Sequence, residues 1–262
     1  MKKQSITVTF ILAIAMSSCT HYYYIPNVQN VPLFREKNEF RGTIAAGGGE
    51  EISTAEVQVA YSVTKNLAIM TNFMSGKGGE VEDNNWAKGK YLDGAVGYFK
   101  PFNEFGSFEI YAGFGACNQH HQYGTKDYSD GTADLSFVKY FLQPSLGLTF
   151  RAFDIAISTR FSQLSFYKVD NQITMDNIEL YYVDTIAQNK KSYLFEPALT
   201  IRGGWKNVKV QLQFSASKNL TQPNLRFEKS NISIGIYFTI SDRYRIAAHK
   251  NKEKEYNRTV NR

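Results

Sequence analysis

Apolar and polar residues alternate with a period of two along most of the chain from residue 39 onward. Such alternation is typical of β-strands whose two faces meet different surroundings. Most of the alternating segments approach the roughly 9–11 residues that a tilted strand needs to cross a bilayer. The pattern predicts ten strands, at about residues 39–46, 54–62, 67–75, 90–99, 107–118, 136–150, 154–166, 192–202, 207–217 and 230–240.

The connections between these strands alternate in length. Short ones lie at 63–66, 100–106, 151–153 and 203–206. Longer, polar ones lie at 76–89, 119–135, 167–191 and 218–229, and only the first connection, 47–53, is short where a long one is due. Outer-membrane barrels have an even number of strands, short periplasmic turns and long outer loops. We therefore predict an all-β, antiparallel, up-and-down transmembrane barrel over residues 39–240, with both ends in the periplasm.

Composition agrees with this prediction. The chain has 17 Tyr and 19 Phe but only 2 Trp and 6 Pro, and its mean hydropathy of −0.36 does not exclude a barrel with a polar lumen. A soluble β-sandwich also alternates, but its outer face is usually charged, whereas the second face here mixes small residues, Gln, Ser and charges of both signs. Aromatic residues near the strand ends would form the membrane girdles: Tyr61, Tyr98, Phe150, Phe238, Phe73, Tyr140, Phe161 and Tyr193.

The first residues have the pattern of an export signal. Lys2 and Lys3 precede an apolar run that is too short to span a bilayer, which predicts a signal peptide over residues 1–18. The run Met16-Ser17-Ser18-Cys19 resembles the lipobox of bacterial lipoproteins. This resemblance implies that Cys19 carries a covalent lipid anchor; the alternative is an ordinary signal peptide with an incidental cysteine. Because the only other cysteine is Cys117, the chain cannot then form an internal disulfide framework or a zinc cluster.

Residues 19–38 are predicted to be a lipidated tether between the anchor and the barrel. Pro26 and Pro32 interrupt any strand in this stretch. Its aromatic residues, Tyr22 to Tyr24, are expected either at the membrane interface or packed under the barrel rim. The residues after Cys19 lack the acidic side chains that some surface-exported lipoproteins carry, so we expect the lipid in the periplasmic leaflet.

Three segments of the mature chain, 24–27, 30–34 and 56–68, follow Cys19. With these residues, the chain resembles a family of small, mostly uncharacterised outer-membrane β-barrel lipoproteins. The resemblance covers most of the mature chain and is specific mainly in its first third. It implies an outer-membrane location in a Gram-negative bacterium, with membrane lipids as partners. One departure is that Phe238 is followed by a basic tail, whereas many barrels end on an aromatic residue that the assembly machinery reads.

Charges are unevenly placed along the chain. The net charge of +6 comes from the leader and from the tail 241–262, which argues against nucleic-acid binding. The tail is expected to be solvated, or to contact anionic lipid or a periplasmic partner. By phase, five basic and four acidic residues point into the lumen, where they must pair, so we predict a largely plugged barrel rather than a selective channel. This lumen charge network comprises Arg41, Glu56, Asp93, Glu109, Lys139, Arg160, Glu196, Arg202 and Lys209.

The body of the chain shows no recognisable catalytic site. No Asp-x-His or His-x-Ser pair occurs, so we predict no enzyme and no cofactor. The pair His120 and His121 could bind metal with Asp127, Asp130 and Asp134, but solvated loop residues are the favoured interpretation, and Cys117 is expected to be a buried filler. The predicted function is a structural or interaction barrel that presents loops 119–135 and 167–191. In the second loop, the run from Ile178 to Val183 is expected to extend strands beyond the membrane. Alternatives are transport of a small or apolar ligand, or a hydrolase with His120 or His121 beside a carboxylate at the outer leaflet.

Overall fold

The computed structural model describes residues 21–174, 178–221 and 226–241. The predicted signal peptide, Cys19 and the basic tail after Ser241 lie outside these described residues.

A closed antiparallel barrel of ten strands occupies most of the described chain. Consecutive strands pair with one another around the barrel, β1 pairs with β11, and the pairing of β8 with β9 completes the ring. The predicted fold class is thus confirmed. The elements are β1 (Phe40–Gly48), β2 (Ile52–Ser62), β3 (Leu67–Glu80), β4 (Asn85–Phe102), β5 (Gly106–Thr125), β6 (Tyr128–Thr149), β7 (Phe153–Asn171), α1 (Ile178–Gln188), β8 (Lys191–Gly204), β9 (Val208–Ala216), the two-residue bridge β10 (Lys218–Asn219), and β11 (Ser230–Ile240).

Large apolar side chains cover the outside of the barrel. This apolar belt is 37–65% exposed and continues around all ten strands. A monomer in water rarely exposes a contiguous apolar surface of this extent, so the belt is suited to contact with hydrocarbon. Among the described residues, no helix has the length and apolar character needed to cross a membrane. Representative belt residues are Ile44, Val57, Ile69, Leu92, Phe114, Leu142, Ile157, Leu199, Val210 and Ile236.

The strands on one side of the barrel extend beyond the belt. β5 and β6 have 20 and 22 residues, so most of the predicted loops 76–89 and 119–135 are strand, and only 81–84 and 126–127 are turns. The prediction missed this extension because polar residues such as Asn118 face outward above the belt. The inward residues continue the alternation, since Tyr123 and Leu135 are buried in an apolar cluster at the long-loop end.

The connection between β7 and β8 contains a helix rather than extended strand. We predicted that the run from Ile178 to Val183 continues a strand, and this is wrong, since α1 includes it. Its buried residues Glu179, Val183 and Ile186 recur at helical spacing and face the barrel, and Val183 and Ile186 join the apolar cluster there. The helix therefore packs at the long-loop end.

Residues 21–35, which we call the lumen segment, run through the inside of the barrel. His21 contacts His121 at the long-loop end, and Arg35 donates to the carbonyl of Asn103 in a short turn at the other end. Tyr23, Val31 and Phe34 are fully buried. The predicted placement at the membrane interface is wrong for Tyr23 and Tyr24, which are buried inside the barrel, whereas Tyr22 lies at the rim, where its hydroxyl donates to Glu50. The physical reason is that the lumen supplies this partnerless stretch with hydrogen bonds and apolar contacts.

Candidate functional site: the occupied barrel lumen

The lumen contains all nine charged residues that the strand phase placed there. Each of these side chains belongs to a residue that is at most 3% exposed. Within this set the structure forms one ion pair, between Lys139 Nζ and Glu196 Oε2 at 3.0 Å. Direct pairing within the predicted network is therefore a small part of how these charges are compensated.

Two carboxylates outside the predicted set complete other ion pairs. Asp154 lies 2.6 Å from Lys209 Nζ and 4.0 Å from Arg202, and Glu39 pairs with Arg41 at 2.7 Å. Asp154 is the second residue of β7, and Glu39 directly precedes β1. At strand ends a two-residue period does not determine which face a side chain takes, so neither carboxylate could be assigned to the lumen from the sequence.

Carboxylates in the lumen also bind backbone N–H groups of the lumen segment. Glu56 accepts from the Val28 N–H through both oxygens, at 3.0 and 3.1 Å, and Glu109 accepts from the Phe34 N–H at 2.7 Å. These N–H groups have no sheet partner. Because a buried, unpaired N–H group is costly, the two carboxylates stabilise the segment inside the barrel.

Carbonyl groups of the lumen segment accept from side chains of the wall. The Gln213 amide is used twice, because its oxygen accepts from the Gln29 N–H and its nitrogen donates to the Gln29 carbonyl. The wall thus replaces the neighbouring strand that an extended backbone normally has. Further wall donors act on the carbonyls of Pro26, Val28, Asn30, Val31 and Pro32, and these are Asn231, Gln58, Gln143, Arg202 and Tyr237, respectively.

These amide side chains were not among the predicted site residues, although the sequence contains a signal for them. The lumen-facing positions of β2, β6 and β9 carry four glutamines, Gln58, Gln143, Gln211 and Gln213. Charges that pair with one another do not need amide partners, so these side chains indicate another binding partner in the lumen. A second signal is the glycine at position 147 on the lumen face. In the structure, a Cβ atom at this position would lie only 2.6 Å from Leu33 Cδ2, so a larger residue would collide with the lumen segment. Small and amide residues on a lumen face together indicate that a peptide backbone lies against it.

The centre of the site connects the lumen segment to the buried ion pair. Lys139 Nζ donates to the hydroxyl of Tyr24 at 2.5 Å, and this hydroxyl donates to Glu196. Arg160 Nη1 donates to Asn27 Oδ1 at 2.6 Å. The segment therefore supplies partners for three of the charged residues that the sequence placed in the lumen.

Replacing Tyr24 with Phe is expected to lower the free energy of unfolding by about 1–3 kcal/mol, because Lys139 and Glu196 lose a buried hydroxyl partner. Thermal unfolding of the purified barrel in detergent measures this. The matched control is Tyr22→Phe, which removes a hydroxyl that donates to Glu50 at the exposed rim and should cost much less. Equal losses in the two variants would contradict the central role of Tyr24.

His21 holds the lumen segment at the long-loop end of the barrel. Its Nε2 donates to Asn85 Oδ1, and its Nδ1 lies 3.1 Å from Nδ1 of His121. The next residue but one, Tyr23, donates to Glu179 of α1 at 2.7 Å, so the helix also holds this end. Burial lowers the pKa of His21, an effect that its hydrogen bond to Asn85 opposes.

Acidification is expected to weaken the docking of the lumen segment at His21. The pKa of His21 is lowered when the segment is docked, whereas a released His21 binds a proton near its ordinary pKa of 6.5. The free energy of docking is therefore most favourable above about pH 6.5 and becomes less favourable as the pH falls below this value. The positive charge of Arg226 also opposes a further positive charge on the ring. The protection of the backbone amides of residues 21–23 against hydrogen exchange, corrected for the intrinsic effect of pH, should fall in acid. A His21→Gln variant should show no such fall. Constant protection of the native chain below pH 6.5 would refute this.

The adjacent His120 points outward, away from the lumen. Its Nδ1 lies 2.8 Å from Asp134 Oδ1, and both side chains are partly exposed. Asp127 and Asp130, which the sequence grouped with them, do not join this pair. Within the described ranges, no group of three or more His, Cys, Asp or Glu residues is arranged to hold a metal ion. Cys117 is buried beside the lumen segment, where burial suits a filler.

A narrow cavity remains between the lumen segment and the wall near the long-loop end. It has a volume of about 50 Å³ and is lined by residues that include Tyr24, Met74 and Cys117. A space of this size holds a few water molecules. Apolar clusters containing Phe34 and Phe99 at the short-turn end, and Tyr23 and Phe137 at the long-loop end, lie beyond the polar centre.

No protein-family model matches the chain, and no curated protein matches it. Solved structures with a similar fold include an outer-membrane channel from Pseudomonas putida F1, at 10% identity and a TM-score of 0.43, covering 81% of this chain and 100% of the other. The translocator domain of the autotransporter NalP from Neisseria meningitidis has 12% identity and a TM-score of 0.41, covering 77% and 88%. The KdgM porin has 9% identity and a TM-score of 0.38, covering 77% and 99%. At these identities and TM-scores, the likeness supports no inference about the activity of this chain.

Proposed function

We propose that this chain is an outer-membrane barrel that presents its outer surface to a partner and does not conduct solutes. The observation that carries this proposal is the lumen segment, which fills the barrel from end to end and is hydrogen-bonded to the wall along its length. A channel needs a continuous water-filled path, whereas this lumen is occupied by the chain itself.

The outer membrane is the compartment that best fits the surface of the barrel. The apolar belt is bordered by exposed aromatic residues, among them Tyr98 and Phe238 near the short turns and Phe73 and Tyr140 nearer the long-loop end. Aromatic girdles of this kind lie at the two membrane interfaces. By the same pattern, the short turns face the periplasm and the long-loop end faces the outside.

Export and lipid anchoring complete the proposal. The apolar leader would direct the chain across the inner membrane, and the lipobox-like run before Cys19 would make this cysteine the site of a covalent lipid. Labelling of cells with radioactive palmitate tests this directly. The native protein should carry the label and a Cys19→Ala variant should not, whereas an unlabelled native protein would refute the anchor.

The surface available to a partner is the extension of the barrel above the belt. Exposed tyrosines lie at the tip between β5 and β6 (Tyr128), near the end of β7 (Tyr167) and on α1 (Tyr181), each more than half exposed. Tyrosine is enriched at protein interfaces because its ring is large and amphipathic. We therefore expect a protein partner outside the cell.

Recordings in planar lipid bilayers test the proposed closure. The purified protein, shown to be folded by its heat-dependent migration on a gel, should insert without producing stable single-channel steps. Large and reproducible steps from the native chain would refute the closed barrel and support the alternative, transport of a small ligand.

A hydrolase acting on outer-leaflet lipid is a second candidate function, favoured by the pair of His120 and Asp134. A histidine oriented by a carboxylate is part of a hydrolytic site, but a nucleophile is also required. No hydrogen bond joins His120 to a hydroxyl or thiol among the contacts of the described residues, so we rank this candidate below the first. A His120→Ala variant that changes the lipid composition of expressing cells, as measured by mass spectrometry, would reverse the ranking.

A further inference from the structure

The lumen segment has a defined direction through the barrel. Its carboxyl end is at the periplasmic side, where Arg35 donates to the carbonyls of Asn103 and Gly106. Its amino end is at the outer side, where His21 contacts Asn85 beside the turn between β3 and β4. Fifteen residues of extended chain reach about 45–50 Å, which is enough to pass from one face of a membrane to the other.

The barrel wall is low at the place where the segment reaches the outer side. β1 ends at Gly48, which pairs with Ile232, a residue that is still exposed as part of the apolar belt. The tip between β1 and β2 therefore lies at the upper edge of the belt, whereas β3 and β4 continue beyond it. Tyr22 contacts this low tip, since its hydroxyl donates to Glu50 at 3.1 Å, and its side chain is only partly buried.

A short length of chain connects this point to the cysteine of the lipobox-like run. Cys19 is three residues from Tyr22, and three residues of extended chain reach at most about 11 Å. The hydrocarbon layer of a bilayer is about 30 Å thick, so a group on Cys19 cannot return to the periplasmic interface. The apolar clusters and the filled lumen also leave no internal path for an acyl chain.

We infer that the lumen segment delivers the amino-terminal end of the mature chain to the cell surface, so that a lipid on Cys19 is inserted in the outer leaflet of the outer membrane. The inference rests on the proposed lipidation of Cys19 and reverses the periplasmic leaflet that we expected from the sequence. It also explains the short first connection, because a taller hairpin there would separate Cys19 from the membrane surface.

The closed wall adds a consequence for assembly. The pairs β1 with β11 and β8 with β9 leave no open seam in the ring. The lumen segment and its lipid must therefore be in place before the last strand pair forms. The lipid crosses the membrane during barrel assembly and not afterwards.

Cysteine labelling at the two ends of the lumen segment tests the topology in the full-length protein. Tyr22→Cys should react with a membrane-impermeant maleimide on intact cells. Lys37→Cys, at an exposed position just after the segment, should react only after the outer membrane is permeabilised. The native chain gives the background from buried Cys117 and from any Cys19 that carries no lipid. Labelling of Tyr22→Cys only after permeabilisation would overturn the inference.

Two further measurements keep the result interpretable. If Tyr22→Cys fails to fold, an epitope inserted after Thr20 in the native chain should bind antibody on intact cells, and its absence there would overturn the inference. Palmitate labelling of the native chain is scored separately. A surface-exposed Tyr22→Cys without palmitate would retain the topology but refute the anchor, whereas palmitate with a periplasmic Tyr22→Cys would retain the anchor and refute the outer leaflet.

Discussion

Removing residues 24–34 is expected to open the barrel to ions. The intact chain should show no stable conductance, whereas the deletion variant should show discrete channels that exceed the baseline by at least about tenfold, because a ten-stranded ring without its segment encloses a water-accessible lumen. Glu56, Glu109 and Arg202 would then exchange backbone groups of the segment for water. Planar-bilayer recordings measure the conductance, and gel migration after heating should show a lower unfolding temperature.

Controls for this deletion use the segment itself. A synthetic peptide with the sequence of residues 21–35, added to the open variant, should reduce its conductance, whereas a scrambled peptide should have a smaller effect. If the deletion prevents folding, the same residues can be replaced with an equally long Gly/Ser sequence that keeps the connection. A folded variant of either kind that remains closed would show that the wall, and not the segment, blocks the lumen.

Replacing Lys139 with Met is expected to cost about 3–5 kcal/mol of unfolding free energy, because it leaves the Glu196 carboxylate buried without its cation. Glu196 would retain hydrogen bonds from Tyr24 and Ser162 and the electrostatic attraction of Arg160 on the neighbouring strand, but it would have no ion pair. A double variant with Lys139→Met and Glu196→Gln should recover part of the loss, since no buried charge is then left over from the pair. Urea unfolding of the purified barrels measures all three values.

The matched control for this prediction is another lysine in a strand. Lys88 lies on the outward face of β4 and is exposed, so Lys88→Met should change the unfolding free energy by no more than about 0.5 kcal/mol. A Lys139→Met variant as stable as Lys88→Met would show that the buried pair contributes little. It would also contradict the burial of both side chains at the centre of the lumen.

The feature that the sequence predicted best is the face of the barrel to which each strand residue points. The alternation assigned Phe114 and Ile236 to the outer face and Lys139 and Arg202 to the lumen, as the structure places them. Period-two alternation is a local property, since neighbouring side chains in a strand must point to opposite faces. The extent of the strands was predicted less well, because above the belt both faces change character, and β5 and β6 continue where the apolar outer face ends.

The sequence by itself determined the barrel, the face that each strand residue takes and the charges inside. Only the tertiary structure decided what fills the lumen and how those charges are compensated. The N–H group of Val28 donates to Glu56, 28 residues away, and the carbonyl of Pro32 accepts from Tyr237, 205 residues away. The residues next to the segment in sequence therefore do not predict which side chains bind it. The face that a strand residue takes follows from its position in a two-residue alternation, which is visible in the sequence. A segment without a sheet partner is instead held by the side chains that the closed barrel places around it.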